Sequence, residues 1–217
     1  MEIGVKEVAA QLGVTERRVR QLIDAGNLPA RRVAGRLLVE EGSIPRSRPM
    51  TRPMSPRIAW AFISLLSNEA VQEISDRELA RIQGKHLALL ASPQPAALLR
   101  SWLRSRAQLR RLSISPTDAD EVLNDLRVIP SGISDPRSEM SAGREVEGYV
   151  QTGDVEQLVA DHLMAPIGPT NVWLRVIDRP LPRPAPLGLV IADLADHDGA
   201  REDARVGQLL GVSALWP

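Results

Sequence analysis

Two short amphipathic segments near the N-terminus constrain the fold of this chain more than any other feature. In the first, apolar residues recur at i, i+3, i+4 and i+7, the spacing of one helix face: Val5, Val8, Ala9 and Leu12. Gly13 follows, where a helix end favours a left-handed residue. In the second segment, the i, i+3, i+4 set is Val19, Leu22 and Ile23. The pattern predicts two short helices joined by a tight turn.

The outer face of the second predicted helix is basic. Thr15 is its expected N-cap, and Glu16 lies beside the positive end of the helix dipole. A rotation of about 100° per residue turns Arg17 and Gln21 away from the buried side. Arg18 and Arg20 flank these two residues. Arginine and glutamine hydrogen-bond to base edges and phosphates, so this face suits a DNA major groove. The alternative is a solvated face on a small packing module.

A predicted β-hairpin, or wing, follows the second helix. Leu28-Pro29 turns the chain into an extended segment, and residues 31–33 and 36–39 flank Ala34-Gly35 in the pattern of a tight turn. The arginines of this hairpin are expected to reach the phosphate backbone or a neighbouring minor groove. The predicted DNA-binding residues are therefore Thr15, Arg17, Arg18, Arg20, Gln21, Arg31, Arg32 and Arg36.

Residues 5–36, VKEVAAQLGVTERRVRQLIDAGNLPARRVAGR, resemble the excisionase and MerR-like winged helix-turn-helix family. The similarity includes the G-x-LPA-x-RV step at residues 26–33, between the second helix and the wing. Family members usually carry an aromatic residue shortly after the wing glycine, where this chain has Leu37-Leu38. The resemblance implies a winged helix-turn-helix domain over residues 1–45 that binds double-stranded DNA.

The charged residues are distributed unevenly, although the net charge of the chain is zero. Residues 1–57 hold 11 Lys/Arg and 6 Asp/Glu, residues 58–115 hold 8 and 4, and residues 116–217 hold 8 and 17. A basic front can meet phosphates, whereas an acidic back is repelled by them. The charge distribution therefore predicts that the two ends of the chain have different partners.

The composition excludes several classes of function. Without cysteine, the chain has no disulfides, thiolate metal sites or cysteine nucleophiles. An aromatic content of 3% argues against the base-stacking platforms of single-strand binders. Because the sequence has no apolar run of about 18 residues and no signal-peptide pattern, we expect a cytoplasmic protein without a membrane span.

The middle of the chain is predicted to be a linker followed by a helical domain. Residues 46–57 are expected to form an extended Pro/Arg-rich connector, which is either a basic arm along a DNA groove or a solvated linker. In the helical domain at residues 58–127, Asp76 is an expected N-cap, Thr117 opens a capping box, and residues 112–114 are a short strand. The expected helices cover residues 58–66, 76–91, 95–108 and 118–126.

Five arginines on and after the third of these helices are expected to face outward: Arg100, Arg104, Arg106, Arg110 and Arg111. Three interpretations of this face are open: a solvated surface, a second phosphate contact, or a binding surface for an acidic partner. On the helix before it, His86 lies on the apolar side, where we expect a satisfied or half-exposed histidine rather than a ligand.

Residues 128–217 are predicted to form an acidic α+β domain with a small sheet. Strands are expected over residues 145–151, 171–177 and 187–194, and helices over residues 154–163 and 199–212. The segments EVEGYV, NVWLRV and PLGLVIADLADHDGAREDARVGQLL resemble the C-terminal part of AbiEi-type antitoxins. That resemblance covers roughly the last seventy residues. It implies an antitoxin that represses its own operon, and a genetic partner that is a toxin with a nucleotidyltransferase fold.

The most enzyme-like cluster is Asp193, Asp196, His197 and Asp198. Carboxylates and a histidine at the end of a strand suit a divalent metal that serves phosphodiester chemistry. The structural alternative makes Asp198 the N-cap of the last helix and pairs Asp193 with Arg201 or Arg205. No Walker loop, dinucleotide fingerprint or second acidic cluster accompanies these residues. We therefore expect a protein that is not an enzyme and has no metal or cofactor.

Together these patterns predict an α+β fold with an N-terminal winged helix-turn-helix, a helical middle domain and a small α+β C-terminal domain. The expected function is that of a sequence-specific DNA-binding transcriptional regulator, an antitoxin and autorepressor that binds its operator as a homodimer or as several copies. One alternative is an excisionase-like architectural or phage regulator, which DNA bending would reveal. The other is a metal-dependent phosphodiester enzyme, which magnesium-dependent activity would reveal.

Overall fold

The computed structural model describes residues 2–12, 15–25, 28–33, 35–40 and 52–214, and its contacts divide the chain into the units Met1–Pro49 and Met50–Pro217. Both units contain helices and strands, so the chain is a mixed α+β protein, as predicted. Gly13, Ala34 and linker residues 46–51 lie outside the described residues. Within the described ranges, no helix is long and apolar enough to cross a membrane.

In its described residues, the first unit combines two helices with a three-stranded antiparallel sheet. Strand β1 (Glu2–Gly4) leads into helix α1 (Val5–Leu12), and α2 (Glu16–Asp24) is followed by β2 (Ala30–Val33) and β3 (Arg36–Glu40). Strand β3 lies between β1 and β2. Both predicted helices and both predicted hairpin strands are confirmed. Strand β1 was not predicted, because three residues are too few to show an alternating pattern. The buried core consists of Val5, Val8, Ala9, Val19, Leu28 and Val39.

The second unit begins with three helices, α3 (Pro56–Leu66), α4 (Asp76–Leu90) and α5 (Pro95–Leu103), and ends with two, α8 (Leu187–Asp196) and α9 (Ala200–Ala214). Between them lie β4 (Gln108–Leu112), α6 (Ala119–Asn124), β5 (Ile129–Pro130), β6 (Val146–Gln151), α7 (Val155–Asp161) and β7 (Val172–Ile177). Short 3-10 turns cover Gly132–Ser134 and Pro136–Ser138. The sheet order is β4-β7-β6-β5, in which β6 and β7 are parallel and the other pairs antiparallel.

Each face of this sheet packs against a different layer. Side chains alternate along a strand, so Val146 and Val150 of β6 lie on one face, in a core shared with α6 and α7. Tyr149 lies on the other face, in a larger core shared with α3, α5, α8 and α9. By the same alternation, the polar residues Glu147 and Arg175 lie on the face that carries Tyr149. The sheet therefore places charged side chains in its larger core.

The structure differs from the predicted division into a helical domain at residues 58–127 and an α+β domain at residues 128–217. Strand β4 from the first range pairs with β7 from the second, and α3 and α5 pack against α8. Neither range buries its apolar surface alone, so the two form one unit.

The predicted linker also differs at its end, because α3 already begins at Pro56. Just before it, Met54 is buried and its amide donates to the Trp102 carbonyl at 2.9 Å.

The segment predicted as a strand at residues 187–194 is a helix. In α8, every residue from Gly188 to Ala195 is buried. A helix buried on all sides has no amphipathic period, and a short apolar run of this kind has the same pattern in a buried strand. Packing distinguishes the two here. At Gly188, α8 approaches α3 so closely that an added Cβ would lie 2.4 Å from the Ile63 carbonyl oxygen.

Two predicted helix caps also differ. Ser75, rather than Asp76, caps α4, because the Ser75 hydroxyl and the Glu78 side chain form a reciprocal capping box. The capping box predicted for α6 is absent, since the Thr117 hydroxyl donates to the Asp118 carboxylate at 2.9 Å instead.

We expect Gly188→Ala to lower the free energy of unfolding by about 1–3 kcal/mol, because the added Cβ forces α8 away from α3. Gly84→Ala in the middle of α4 is the matched control. Nothing lies within 4 Å of a Cβ built there, so this change should raise the free energy of unfolding by about 0.5–1 kcal/mol. Urea unfolding followed by circular dichroism measures both. A Gly188→Ala protein as stable as the wild type would contradict the close approach of α8 to α3.

Candidate functional site

The basic residues predicted on α2 lie on its solvent side. The Thr15 hydroxyl accepts a hydrogen bond from the Arg18 amide at 3.3 Å, which confirms Thr15 as the N-cap. Arg20 pairs with Glu16 at 3.0 Å. An exposed pair of this kind contributes only about 0–1 kcal/mol, so Arg20 can exchange Glu16 for another anion at little cost. The four residues predicted to enter a groove are all exposed: Arg17, Arg18, Arg20 and Gln21.

The hairpin distributes its arginines over both of its faces. The register pairs Arg32 with Leu37 and Arg31 with Leu38, and paired residues of antiparallel strands lie on the same face. Leu37 packs against the core of the first unit. Arg32 is therefore on the face toward the helices, and Arg31 and Arg36 are on the opposite face. All three arginines are exposed.

A cleft of about 540 Å³ lies between the start of α1 and the hairpin, and Arg20 of α2 also lines it. The acidic residue of its lining is Glu7, and its basic residues are Lys6, Arg20, Arg32 and Arg36. Cationic groups from several elements around one concave surface create a positive potential that attracts anions. Lys6 was not predicted, because a single exposed lysine on α1 gives no signal in the sequence. The predicted residues that do not line this cleft are Thr15, Arg17, Arg18, Gln21 and Arg31.

A second group of charged residues is buried inside the unit Met50–Pro217. Asp193 of α8 is fully buried, and its Oδ1 lies 2.5 Å from Arg106 Nη2 and 3.0 Å from Arg175 Nε. The Tyr149 hydroxyl donates to the same oxygen at 2.9 Å. Both guanidiniums also reach Asp196 Oδ2, at 2.5 Å from Arg106 and 3.0 Å from Arg175. Two aspartates one helical turn apart are thus held between two arginines.

Glu147 of β6 and His197 extend this network. Glu147 Oε1 lies 2.7 Å from Arg175 Nη1, and Glu147 Oε2 lies 2.9 Å from His197 Nε2. The Ile133 amide also donates to Glu147 Oε2 at 2.9 Å. The network therefore contains three carboxylates, two guanidiniums and one imidazole. Its charges balance when His197 is protonated.

The prediction that Arg100 and Arg106 face solvent is wrong. Helix α5 ends at Leu103 rather than at residue 108, so the helical projection does not apply to Arg106, which is 4% exposed. The Arg100 side chain is 11% exposed and pairs with Asp198 at 2.9 Å and Asp203 at 3.0 Å. The other predicted arginines are exposed or half-exposed: Arg104, Arg110 and Arg111.

The structure also changes the interpretation of the cluster at residues 193–198. Asp193 lies within a helix and pairs with Arg106 and Arg175, not with the predicted Arg201 or Arg205. Its second oxygen accepts from the Ser131 hydroxyl. Across the described parts of both units, no group of three or more His, Cys, Asp and Glu side chains is arranged to hold a metal ion. Guanidiniums occupy the positions beside these carboxylates that the metal hypothesis assigned to a cation.

Burial and ion pairing shift the pKa values in this network in different directions. Burial raises the pKa of Asp193 despite its two arginine partners. For Glu147 and Asp196, burial is outweighed by nearby cations, chiefly Arg175 for the first and Arg106 for the second, so both pKa values are lowered. For His197, burial favours the neutral imidazole, but the hydrogen bond and charge of Glu147 outweigh it and raise the pKa.

Comparison of the chain with protein-family models, with curated proteins and with solved structures found no match in any of the three.

We expect Arg106→Met to lower the free energy of unfolding by about 3–5 kcal/mol, because it leaves the buried Asp193 and the half-buried Asp196 with one guanidinium between them. Arg104→Met makes the same change at an exposed position two residues earlier, and it should alter stability by no more than about 0.5 kcal/mol. Urea unfolding of both variants tests the network. Equal effects at the two positions would show that the Arg106 ion pairs do not form.

The contribution of His197 to stability should be lost as the pH rises. Glu147 favours the protonated imidazole only in the folded chain, so the contribution is complete below pH 6.5, the ordinary His pKa, and disappears above the raised folded pKa. Burial lowers the pKa of His86, which gives the opposite dependence. The measurement is therefore the difference in unfolding free energy between the wild type and His197→Gln. A difference that stays constant from about pH 5 to about pH 9 would rule out the charged pair.

Proposed function

We propose that the protein is a sequence-specific double-stranded DNA-binding transcriptional regulator, with residues 1–45 as a winged helix-turn-helix domain. The observation that carries this proposal is the cleft at which basic residues of α1, α2 and the hairpin meet: Lys6, Arg20, Arg32 and Arg36. Beside it, α2 exposes a face of arginine and glutamine. Such a helix suits a major groove, and hairpin arginines suit the adjacent phosphates.

The proposed contacts divide according to what each element can reach. Thr15 holds the N-terminus of α2, whose exposed face reads base edges through Arg17, Arg18, Arg20 and Gln21. The hairpin binds the phosphate backbone through Arg31, Arg32 and Arg36. Because α2 has only nine residues, one copy reads few base pairs, and specific binding needs two or more copies on neighbouring half-sites.

We further propose that this regulator is the antitoxin and autorepressor of a toxin–antitoxin operon and acts in the cytoplasm. Two features support this step. The last seventy residues resemble AbiEi-type antitoxins, and residues 116–217 hold 17 acidic and 8 basic residues, a balance that suits a protein partner rather than DNA. The partner is then a toxin with a nucleotidyltransferase fold, and the operator is the DNA upstream of the operon's own genes.

Binding to that upstream DNA tests the proposal. Arg17→Ala and Arg20→Ala should each weaken specific binding by about 1–3 kcal/mol, because each removes a contact to a base edge. Arg32→Ala should weaken binding to all sequences equally and reduce the slope of log K against log[salt] by about one, because it removes a phosphate contact. Fluorescence anisotropy at several salt concentrations, with operator and scrambled duplexes, measures both effects.

Arg201→Ala is the matched control for these variants, since it removes an exposed arginine from the acidic part of the other unit. Its operator affinity and salt slope should equal those of the wild type. Unchanged operator binding in Arg17→Ala, Arg20→Ala and Arg32→Ala together would refute the assignment of α2 and the hairpin as the DNA-binding surface.

A further inference from the structure

Helix α4 has an apolar side that no described residue of its own unit covers. Ile82 and Leu89 point into the core. At about 100° per residue, the opposite side of the helix begins with Arg77 and carries only small and aliphatic residues from Ala80 onward. The side chain of Leu87 among them is 69% exposed. The set, which we call the α4 outer face, is exposed throughout and consists of Ala80, Gly84, Leu87, Ala88 and Ala91.

Two residues of the α4 outer face, Leu87 and Gly84, do not contribute to the stability of the single chain as a buried leucine or a helical alanine would. Full burial of a leucine contributes about 1.5–3 kcal/mol, and Leu87, at 69% exposure, realises only a minor part of this in the single chain. A glycine inside a helix costs about 1 kcal/mol relative to alanine, and Gly84 lies in the middle of the 15-residue α4. No atom lies within 4 Å of a Cβ built at Gly84. Packing within the chain therefore does not require glycine there, whereas close approach of another helix would.

We propose that the α4 outer face packs against the same face of a second copy of this chain, with the two α4 helices antiparallel. The face is self-complementary about a point between Gly84 and Leu87. In the antiparallel arrangement, Leu87 of each copy lies over the space left by Gly84 of the other. The contact is thus repeated by the two-fold axis, as in other isologous interfaces.

The charges of α4 favour this occupant and this direction. Arg77 and Arg81 are exposed in its N-terminal half, whereas the outer face beyond Gly84 has no charged residue. Parallel copies would bring four guanidiniums together. Antiparallel copies instead place each arginine pair beside the C-terminal carbonyls of the other helix, where the helix dipole is negative.

Helix α9, which packs against α4, has an exposed side of the same kind. Gly207 and Gly211 are exposed, no atom lies within 4 Å of a Cβ built at either position, and Ala204 lies one turn earlier.

A single helix face buries less than the roughly 800 Å² per partner of a typical stable interface. We therefore expect a dissociation constant on the order of micromolar.

Sedimentation velocity of the full chain without DNA, from about 1 to about 200 μM, tests the proposal directly. The wild type should shift from monomer to dimer over this range. Leu87→Glu and Gly84→Gln should each raise the dimer dissociation constant at least about tenfold, because each change acts twice in a two-fold contact. Gly84→Gln places a good helix former at an open position, so its thermal midpoint should not fall below that of the wild type.

Leu126→Glu is the matched control, because it introduces the same charge at a leucine that is 86% exposed and lies outside the α4 outer face. It should change the dissociation constant by less than about twofold. A wild type that stays monomeric at the highest concentration would overturn the proposal. So would a Leu87→Glu protein that associates like the wild type. Because no DNA is present, these outcomes are independent of whether the proposed operator binding is correct.

Discussion

The buried charge of Asp193 is the interaction on which the larger unit depends. A buried carboxylate is tolerated only when cations and hydrogen-bond donors surround it. Those groups come from separate parts of the chain, namely Arg106 after α5, Ser131 before the first 3-10 turn, Tyr149 on β6 and Arg175 on β7. All of these segments must be in place for Asp193 to be satisfied. Directional contacts therefore add to apolar packing in joining α8 to the sheet. Arg106 is the member of this set that comes from residues 58–127, so its ion pairs also help to join that range to residues 128–217.

Three arginines of the larger unit are used differently from those of the smaller unit. In Met50–Pro217, Arg100, Arg106 and Arg175 lie in ion pairs with little exposure, so they are not available to an external anion. In Met1–Pro49, the arginines of α2 and the hairpin lie at the surface. The pair that Arg20 forms there is exposed and correspondingly weak. The proposed DNA contact therefore rests on the smaller unit, and the proposed self-association rests on the α4 outer face of the larger unit.

The sequence predicted elements that have one buried side and one exposed side. Val19, Leu22 and Ile23 revealed α2 in this way. Strand β7 was found from the alternation of Val172, Leu174 and Val176 with Trp173 and Arg175, although both of its faces are buried. The same method failed for α8, because a helix surrounded by protein has no polar face to set a period. It also failed for Arg106. The sequence shows neither the early end of α5 nor the carboxylates from α8 that make burial of a guanidinium acceptable.

By itself, therefore, the sequence determined the local features of this protein. These are the two N-terminal helices with the cap at Thr15, the hairpin strands and the exposed basic face of α2, all set by hydrogen bonds and one-sided burial within a few turns of chain. Only the tertiary structure decided the rest. Strand β4 joins β7, α8 is helical, Arg106 is buried and Lys6 meets the hairpin arginines, because each of these outcomes depends on a partner that is distant in the chain.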